Sequence, residues 1–156
     1  MLIPMVDATA EAPVEDLVPT PSAGGRARIL VIDDQPLPLR VVCRALQDRY
    51  SVVTEIDPQK AYQRLAAGEP MDLIITDIMM PGMTGDDLCR QVINVRPDLD
   101  GRFLFITGAM LRDGQQEWLA SVGARVLRKP FGIEQLRRFV GEQLGDSFAE
   151  EGTPQP

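Results

Sequence analysis

Apolar residues fall along this chain in short runs, each stopped by a polar residue and followed by a longer amphipathic stretch. The first run is residues 28–32, Arg-Ile-Leu-Val-Ile, and it ends at Asp33-Asp34. Rich in β-branched residues and bounded by acids, it predicts a buried strand. Leu39, Val42, Cys43 and Leu46 then recur at helical spacing, and Pro36 and Pro38 fit a loop or a first helical turn. Ser51 to Thr54 predicts a second strand. Asp57-Pro58 reads as an N-cap with proline in the first turn, and Ala61, Leu65 and Ala66 are expected to face inward.

The pattern repeats three more times. Residues 72–76 predict the third strand, ending at Asp77, and Pro81, Gly82 and Gly85 cannot continue it. A helix follows from about Asp86 to Val95, with Leu88, Cys89, Val92, Ile93 and Val95 apolar, and Pro97 ends it. Phe103 to Ile106 is the fourth strand. Asp113 is expected to cap a helix that carries Trp118 and Leu119 and runs to Val122, with Gly123 closing it. Arg125 to Leu127 is the fifth strand. The last helix spans about Ile133–Leu144, with a stripe of Ile133, Leu136, Phe139, Val140 and Leu144. Five strands alternating with five helices predict an α/β fold, a parallel sheet with helices on both faces.

Charge changes this picture at the ends. Residues 1–25 and 146–156 hold seven of the 23 acids and none of the 16 Lys and Arg, so the net charge of −7 sits in the tails. Residues 1–25 also carry Pro4, Pro13, Pro19 and Pro21. The expected division is therefore a disordered acidic, Pro-rich extension over 1–25, one folded domain over 26–145 and a disordered acidic tail over 146–156. No basic cluster suggests a nucleic-acid footprint. No apolar stretch approaches the ~20 residues of a membrane span, and the N-terminus has no basic residue of a signal peptide. A cytoplasmic protein is expected. Cys43 and Cys89 lie in helical patterns and read as free buried thiols. With no histidine in the chain, His-based catalysis, His metal ligation and phosphohistidine are excluded.

Candidate chemistry gathers at the strand tips. Strand one ends in Asp33 and Asp34, strand three in Asp77, strand four near Thr107 and strand five near Lys129. Open α/β sheets bind ligands outside the carboxyl ends of their strands. Three carboxylates held together repel one another and call for a cation. With only hard oxygen donors and no histidine, Mg²⁺ is the natural choice. One carboxylate could then act as a nucleophile toward a phosphoryl group. Mg²⁺ and Lys129 would supply positive charge, and Thr107 a hydroxyl donor. Taken singly, Asp33-Asp34 could be a helix cap and Asp77 a turn residue.

Taken together, Asp33-Asp34, Asp77-x-x-Met80-Pro81-x-x-x-Gly85, Thr107-Gly108 and Lys129-Pro130-Phe131 resemble the receiver domain of bacterial two-component response regulators. The resemblance covers residues 27–145. It implies a doubly wound, five-stranded parallel sheet in flavodoxin-like order 2-1-3-4-5. It implies that Asp77 is the phosphoacceptor, that Asp34 binds Mg²⁺ directly and Asp33 often through water, and that the backbone carbonyl of Met79 is a third protein ligand. Thr107 would swing toward the phosphoryl group and Lys129 would pair with it. The Lys129–Pro130 bond is expected to be cis. In this topology the helices bearing Cys43 and Cys89 cover opposite faces, so no disulfide is expected.

The chain departs from the family pattern at Val126, where many receivers carry an aromatic switch residue. Met79 and Ala109 occupy the two positions that tune the lifetime of the phosphoryl group, and neither can orient water. Slow loss of phosphate is expected. Trp118 reads as a core or rim residue, and Arg137-Arg138 as a solvated helix face. The resemblance implies a switch module that receives its phosphoryl group from a sensor histidine kinase or a histidine phosphotransfer protein. On that resemblance it would not be an enzyme beyond its own phosphorylation and dephosphorylation. It would signal by changed protein binding, either free-standing or as part of a hybrid kinase, since only eleven residues follow 145. The alternatives are a phosphorylation-independent scaffold and an Asp-nucleophile phosphohydrolase. The latter resembles haloacid-dehalogenase phosphatases but lacks their second Asp, since position 79 is Met.

Overall fold

The computed structural model describes residues 26–108 and 110–145. The extensions expected at 1–25 and 146–156, and the Ala109 position, lie outside the described residues. Five parallel strands form one sheet: β1 (Arg28–Ile32), β2 (Ser51–Glu55), β3 (Leu73–Asp77), β4 (Phe103–Thr107) and β5 (Arg125–Arg128). Their order is β2-β1-β3-β4-β5, as the resemblance to receiver domains implies. The helices are α1 (Pro36–Leu46), α2 (Pro58–Ala66), α3 (Gly85–Val95), α4 (Asp113–Ser121) and α5 (Ile133–Leu144), with one 3₁₀ turn at Pro97–Leu99.

The continuous apolar runs conceal a two-faced pattern, because alternate residues of a strand point to opposite faces. Leu30, Ile32, Ile74, Phe103 and Phe105 pack with Ala61, Leu65, Leu88, Cys89, Val92 and Leu119, so α2, α3 and α4 cover that face. Ile29, Val31, Leu73, Ile75, Leu104, Ile106 and Leu127 pack with Val42, Leu46, Leu136 and Val140, so α1 and α5 cover the other. Every residue of β3 and β4 is buried. Burying a Leu or Ile side chain contributes about 1.5–3 kcal/mol, so these central strands anchor whatever they carry at their tips.

Each strand after the first runs one residue beyond its apolar run. The third strand, expected at 72–76, is Leu73–Asp77, and the second, fourth and fifth take in Glu55, Thr107 and Arg128. Ladder hydrogen bonding follows the backbone rather than hydropathy. Asp77 is thus the last residue of β3, in register with Ile106. Asp72 drops out of the strand, and its carboxylate accepts the Arg28 N–H at 2.8 Å.

Several helix details also differ. Asp57 caps α2 as expected, accepting the Gln59 N–H at 2.9 Å. Asp113 is not the cap of α4 but its first residue. The N-cap is Arg112, whose backbone N–H is taken by Gln115 Oε1 at 3.0 Å. The acid still suits the positive end of the helix. α4 stops at Ser121 rather than Val122, and Gly123 takes a left-handed φ of +64° there. Ala66, Val95 and Ile133 are exposed rather than inward-facing. All three are helix-terminal, where neighbours on one side are missing. Cys43 is half-buried rather than buried, while Cys89 is buried, and both are free. Arg137 is not simply solvated: it donates to the Ala45 carbonyl at 2.9 Å and meets Asp48 at 3.6 Å, tying α5 to the end of α1.

Candidate functional site

Strand order reverses between β1 and β3, and such a switch point opens a crevice at the carboxyl edge of the sheet. Ile32 pairs with Thr76, which sets Asp33, one residue on, beside Asp77. The Lys129 N–H donates to the Thr107 carbonyl at 2.8 Å, carrying that ladder one residue past β5. Register therefore brings Asp33, Asp34, Asp77, Thr107 and Lys129 to one edge. Met79 lies two residues beyond Asp77 in the β3–α3 loop, half-buried against the α2–α3–α4 core.

Asp33, Asp34 and Asp77 each offer a carboxylate oxygen, and the three oxygens lie within 4.8 Å of one another. Lys129 Nζ stands 3.6 Å from Asp77 Oδ2 and 3.9 Å from Asp33 Oδ2. The Gln35 N–H donates to Asp33 Oδ1 at 3.0 Å. Burial pushes the Asp33 carboxyl above the usual carboxylate range. The Gln35 N–H and Lys129 oppose that rise, while Asp77 and Asp34 add to it. Burial likewise raises Asp77, opposed by Lys129 and by the Met79 N–H. In both, desolvation outweighs the one ammonium nearby.

These residues fit a hard divalent cation such as Mg²⁺. Asp34 Oδ1 is buried and has no hydrogen-bond partner among the described residues. Such an oxygen is costly to leave unsatisfied. One lysine cannot neutralise three carboxylates, and the donors are all oxygen.

Two glycines make room. A Cβ on Gly85 would overlap the Asp77 carbonyl oxygen, and the Gly85 N–H donates to the Ile78 carbonyl at 2.8 Å. This explains the Gly eight residues after Asp77: the loop folds back onto the strand end. A Cβ on Gly108 would sit 3.2 Å from Lys129 Cδ, so the absent side chain leaves a path for the lysine stem. Thr107 is fully buried at the tip of β4. The Lys129–Pro130 bond is cis, matching the expectation from the resemblance.

Sequence reasoning missed a polar cluster beside this edge. Asp86 and Gln115 are both buried, and Gln115 Nε2 donates to Asp86 Oδ1 at 3.2 Å. Arg90 meets Asp86 at 3.4 Å and its guanidinium lies 4.7 Å from the centre of the Trp118 ring. The (i, i+4) spacing of Asp86 and Arg90 was a readable signal. The pairing of Gln115 with Asp86 was not, because it joins two helices.

Residues 29–140 match the response regulator receiver domain family. The receiver protein CpdR of Brucella abortus is 37% identical over 118 residues, spanning 75% of this chain and 96% of that protein. Among solved structures, the chemotaxis response regulator CheY4 of Vibrio cholerae superposes with a TM-score of 0.67 at 31% identity, covering 77% of this chain and 100% of that one. The receiver domain of the hybrid histidine kinase CckA gives a TM-score of 0.60 at 28% identity, over 76% and 99% of the two chains. No helix among the described residues is long and apolar enough to cross a membrane. From its sequence match and from the acids, lysine and threonine gathered at one sheet edge, the chain belongs to the response regulator receiver family of two-component signalling.

Proposed function

We propose that this protein is a phosphorylation-controlled switch whose phosphoacceptor is Asp77. The observation that carries the reading is the placement of Asp77 at the tip of β3, 3.6 Å from the Lys129 ammonium and clustered with Asp33 and Asp34. An oxygen of ionised Asp77 attacks the phosphorus of a phosphohistidine on a partner histidine kinase or phosphotransfer protein. A P–O bond forms as the P–N bond breaks, and the released imidazole takes a proton from solvent. Lys129 stabilises the negative charge on the phosphoryl oxygens, and Thr107 offers its hydroxyl to another of them. Asp33, Asp34, Asp77 and the Met79 carbonyl would hold Mg²⁺, which supplies charge neutralisation when bound. The product, an acyl phosphate, changes which protein the domain binds. The folded unit that performs this spans 26–145.

The test is incubation of the full chain with Mg²⁺ and acetyl phosphate or beryllofluoride. A stable adduct that Asp77→Asn abolishes supports the switch. Rapid multiple turnover of acetyl phosphate would instead identify a phosphohydrolase, and no adduct would identify a scaffold. The thioether at position 79 weighs against the hydrolase, which requires a proton donor there.

A further inference from the structure

The buried residues of α4 are Gln115 and Leu119. One of these two anchors is therefore polar, and its amide is engaged at both ends. Gln115 Oε1 accepts the Arg112 N–H at 3.0 Å, which fixes the side chain to the start of its own helix. Gln115 Nε2 donates to Asp86 Oδ1 at 3.2 Å in the first turn of α3, and it lies 3.9 Å from Met79 Sδ. Met79 in turn lies two residues beyond Asp77 in the β3–α3 loop, packed against the α2–α3–α4 core. A single side chain thus joins α4 to α3 and to the loop that leaves Asp77.

The contacts continue outward. Asp86 pairs with Arg90, Arg90 lies over Trp118, and Trp118 meets the edge of Phe105 at 6.2 Å between ring centres. Phe105 is in register with Val126, the position at which many receivers carry an aromatic switch residue. The aromatic rings in this seam come from α4 and β4 rather than from β5.

Resting on the assignment of Asp77 as phosphoacceptor, we infer that Gln115 is a positioning residue that couples the state of Asp77 to α4. When the Asp77 loop is drawn in by an added phosphoryl group, Met79 moves. Gln115 then re-forms its hydrogen bonds only if α4 moves with it, because an amide left unpaired in this buried site is costly. The displacement reaches the surface as a change at the Arg90–Trp118 stack.

Trp118 is the single tryptophan of the chain, so its emission reports on α4 without labelling. On addition of Mg²⁺ and beryllofluoride to the full chain, ¹⁹F NMR is expected to show the adduct and Trp118 emission to change with the same saturation. In Gln115→Leu the adduct still forms and the emission change falls by more than half. In Asp86→Asn, which keeps an oxygen acceptor for Gln115, the change persists. A merely structural Gln115 would lower thermal stability in Gln115→Leu but leave the emission response whole, and that result would overturn the inference. Should Gln115→Leu fail to fold, hydrogen exchange in the wild type decides. Protection over 113–121 must change when the adduct forms, and unchanged exchange overturns the coupling. Absence of the adduct in the wild type removes the phosphoacceptor reading itself, and the coupling with it, and is seen separately by ¹⁹F NMR.

Discussion

Lys129 Nζ lies 3.6 Å from Asp77 Oδ2 across the carboxyl edge of the sheet, from the end of β5 past β4 to the end of β3. The lysine reaches there over Gly108, whose missing side chain clears the path. This ion pair is partly open to water on the lysine side, so its contribution to stability is modest, about 1 kcal/mol or less. Its weight is chemical. Lys129→Met is expected to leave the protein folded, with a small fall in Tm. It should cut phosphorylation by acetyl phosphate by at least about tenfold, the effect of losing about 1.4 kcal/mol of charge stabilisation in the transition state. Initial rates of acyl-phosphate formation measure this, and an unchanged rate would remove Lys129 from the machinery.

Asp77→Asn removes one of three mutually repelling carboxylates. Without Mg²⁺ the variant is expected to be more stable than the wild type at neutral pH, by about 1 kcal/mol. The sign with pH follows from the raised carboxyls of Asp33 and Asp77. Above those raised values the native protein bears the full cost of holding both groups ionised. As the pH falls toward the unfolded value near 4, the native state takes up protons first and the cost disappears. The stability difference between variant and wild type should therefore shrink on acidification. Thermal melts in EDTA across that range check it, and a difference that grows in acid would contradict it.

Mg²⁺ is expected to raise the Tm of the wild type with the logarithm of its concentration above the dissociation constant. About 2.7 kcal/mol of added stability is expected at a hundred times the dissociation constant. Asp34→Asn leaves a neutral amide where Asp34 Oδ1 is now buried and unpartnered. That variant should lose most of the Mg²⁺ effect while melting no lower in EDTA. Calorimetric titration with Mg²⁺ reads the same loss directly.

Gly85→Ala tests the back-folded loop. A methyl group there collides with the Asp77 carbonyl, backbone against which nothing can rotate away. The expected loss is about 1–3 kcal/mol, with a fall in beryllofluoride binding because the strand tip must move. Full binding at unchanged stability would show that the loop is looser than this packing implies.

Met79 stands two residues after Asp77, the proposed phosphoacceptor, and brings a thioether where no water can be oriented. Once formed, the acyl phosphate is expected to persist for minutes rather than seconds. Met79→Asn should shorten its life several-fold. Phosphate release after labelling measures both, and a wild-type half-life of seconds would sink the expectation.

Much of this fold could be read directly from the chain. Five β-rich runs, each closed by a polar residue, alternate with helical stripes, and the order of strands follows the family that Asp33-Asp34, Asp77, Thr107 and Lys129 resemble. The details that were missed share a cause. Hydropathy places the strand ends one residue short, because apolar character stops before hydrogen bonding does, as at Asp77 and Thr107. Asp113 has the residue type of a cap, yet it is Gln115 that accepts the Arg112 N–H from within the helix.

The sequence alone determined which residues lie at the carboxyl edge of the sheet, because each apolar run stops beside one of them and a parallel sheet puts all its strand ends on one edge. Only the tertiary structure decided what lies beside them. Asp86, Gln115, Arg90 and Trp118 come from two different helices. Contacts between elements depend on how the helices seat on the sheet, and no local pattern in the chain encodes that seating. The same reason explains why the buried oxygen of Asp34 and the raised carboxyls of Asp33 and Asp77 emerged only from the folded site. Desolvation is a property of the surroundings and not of the residue.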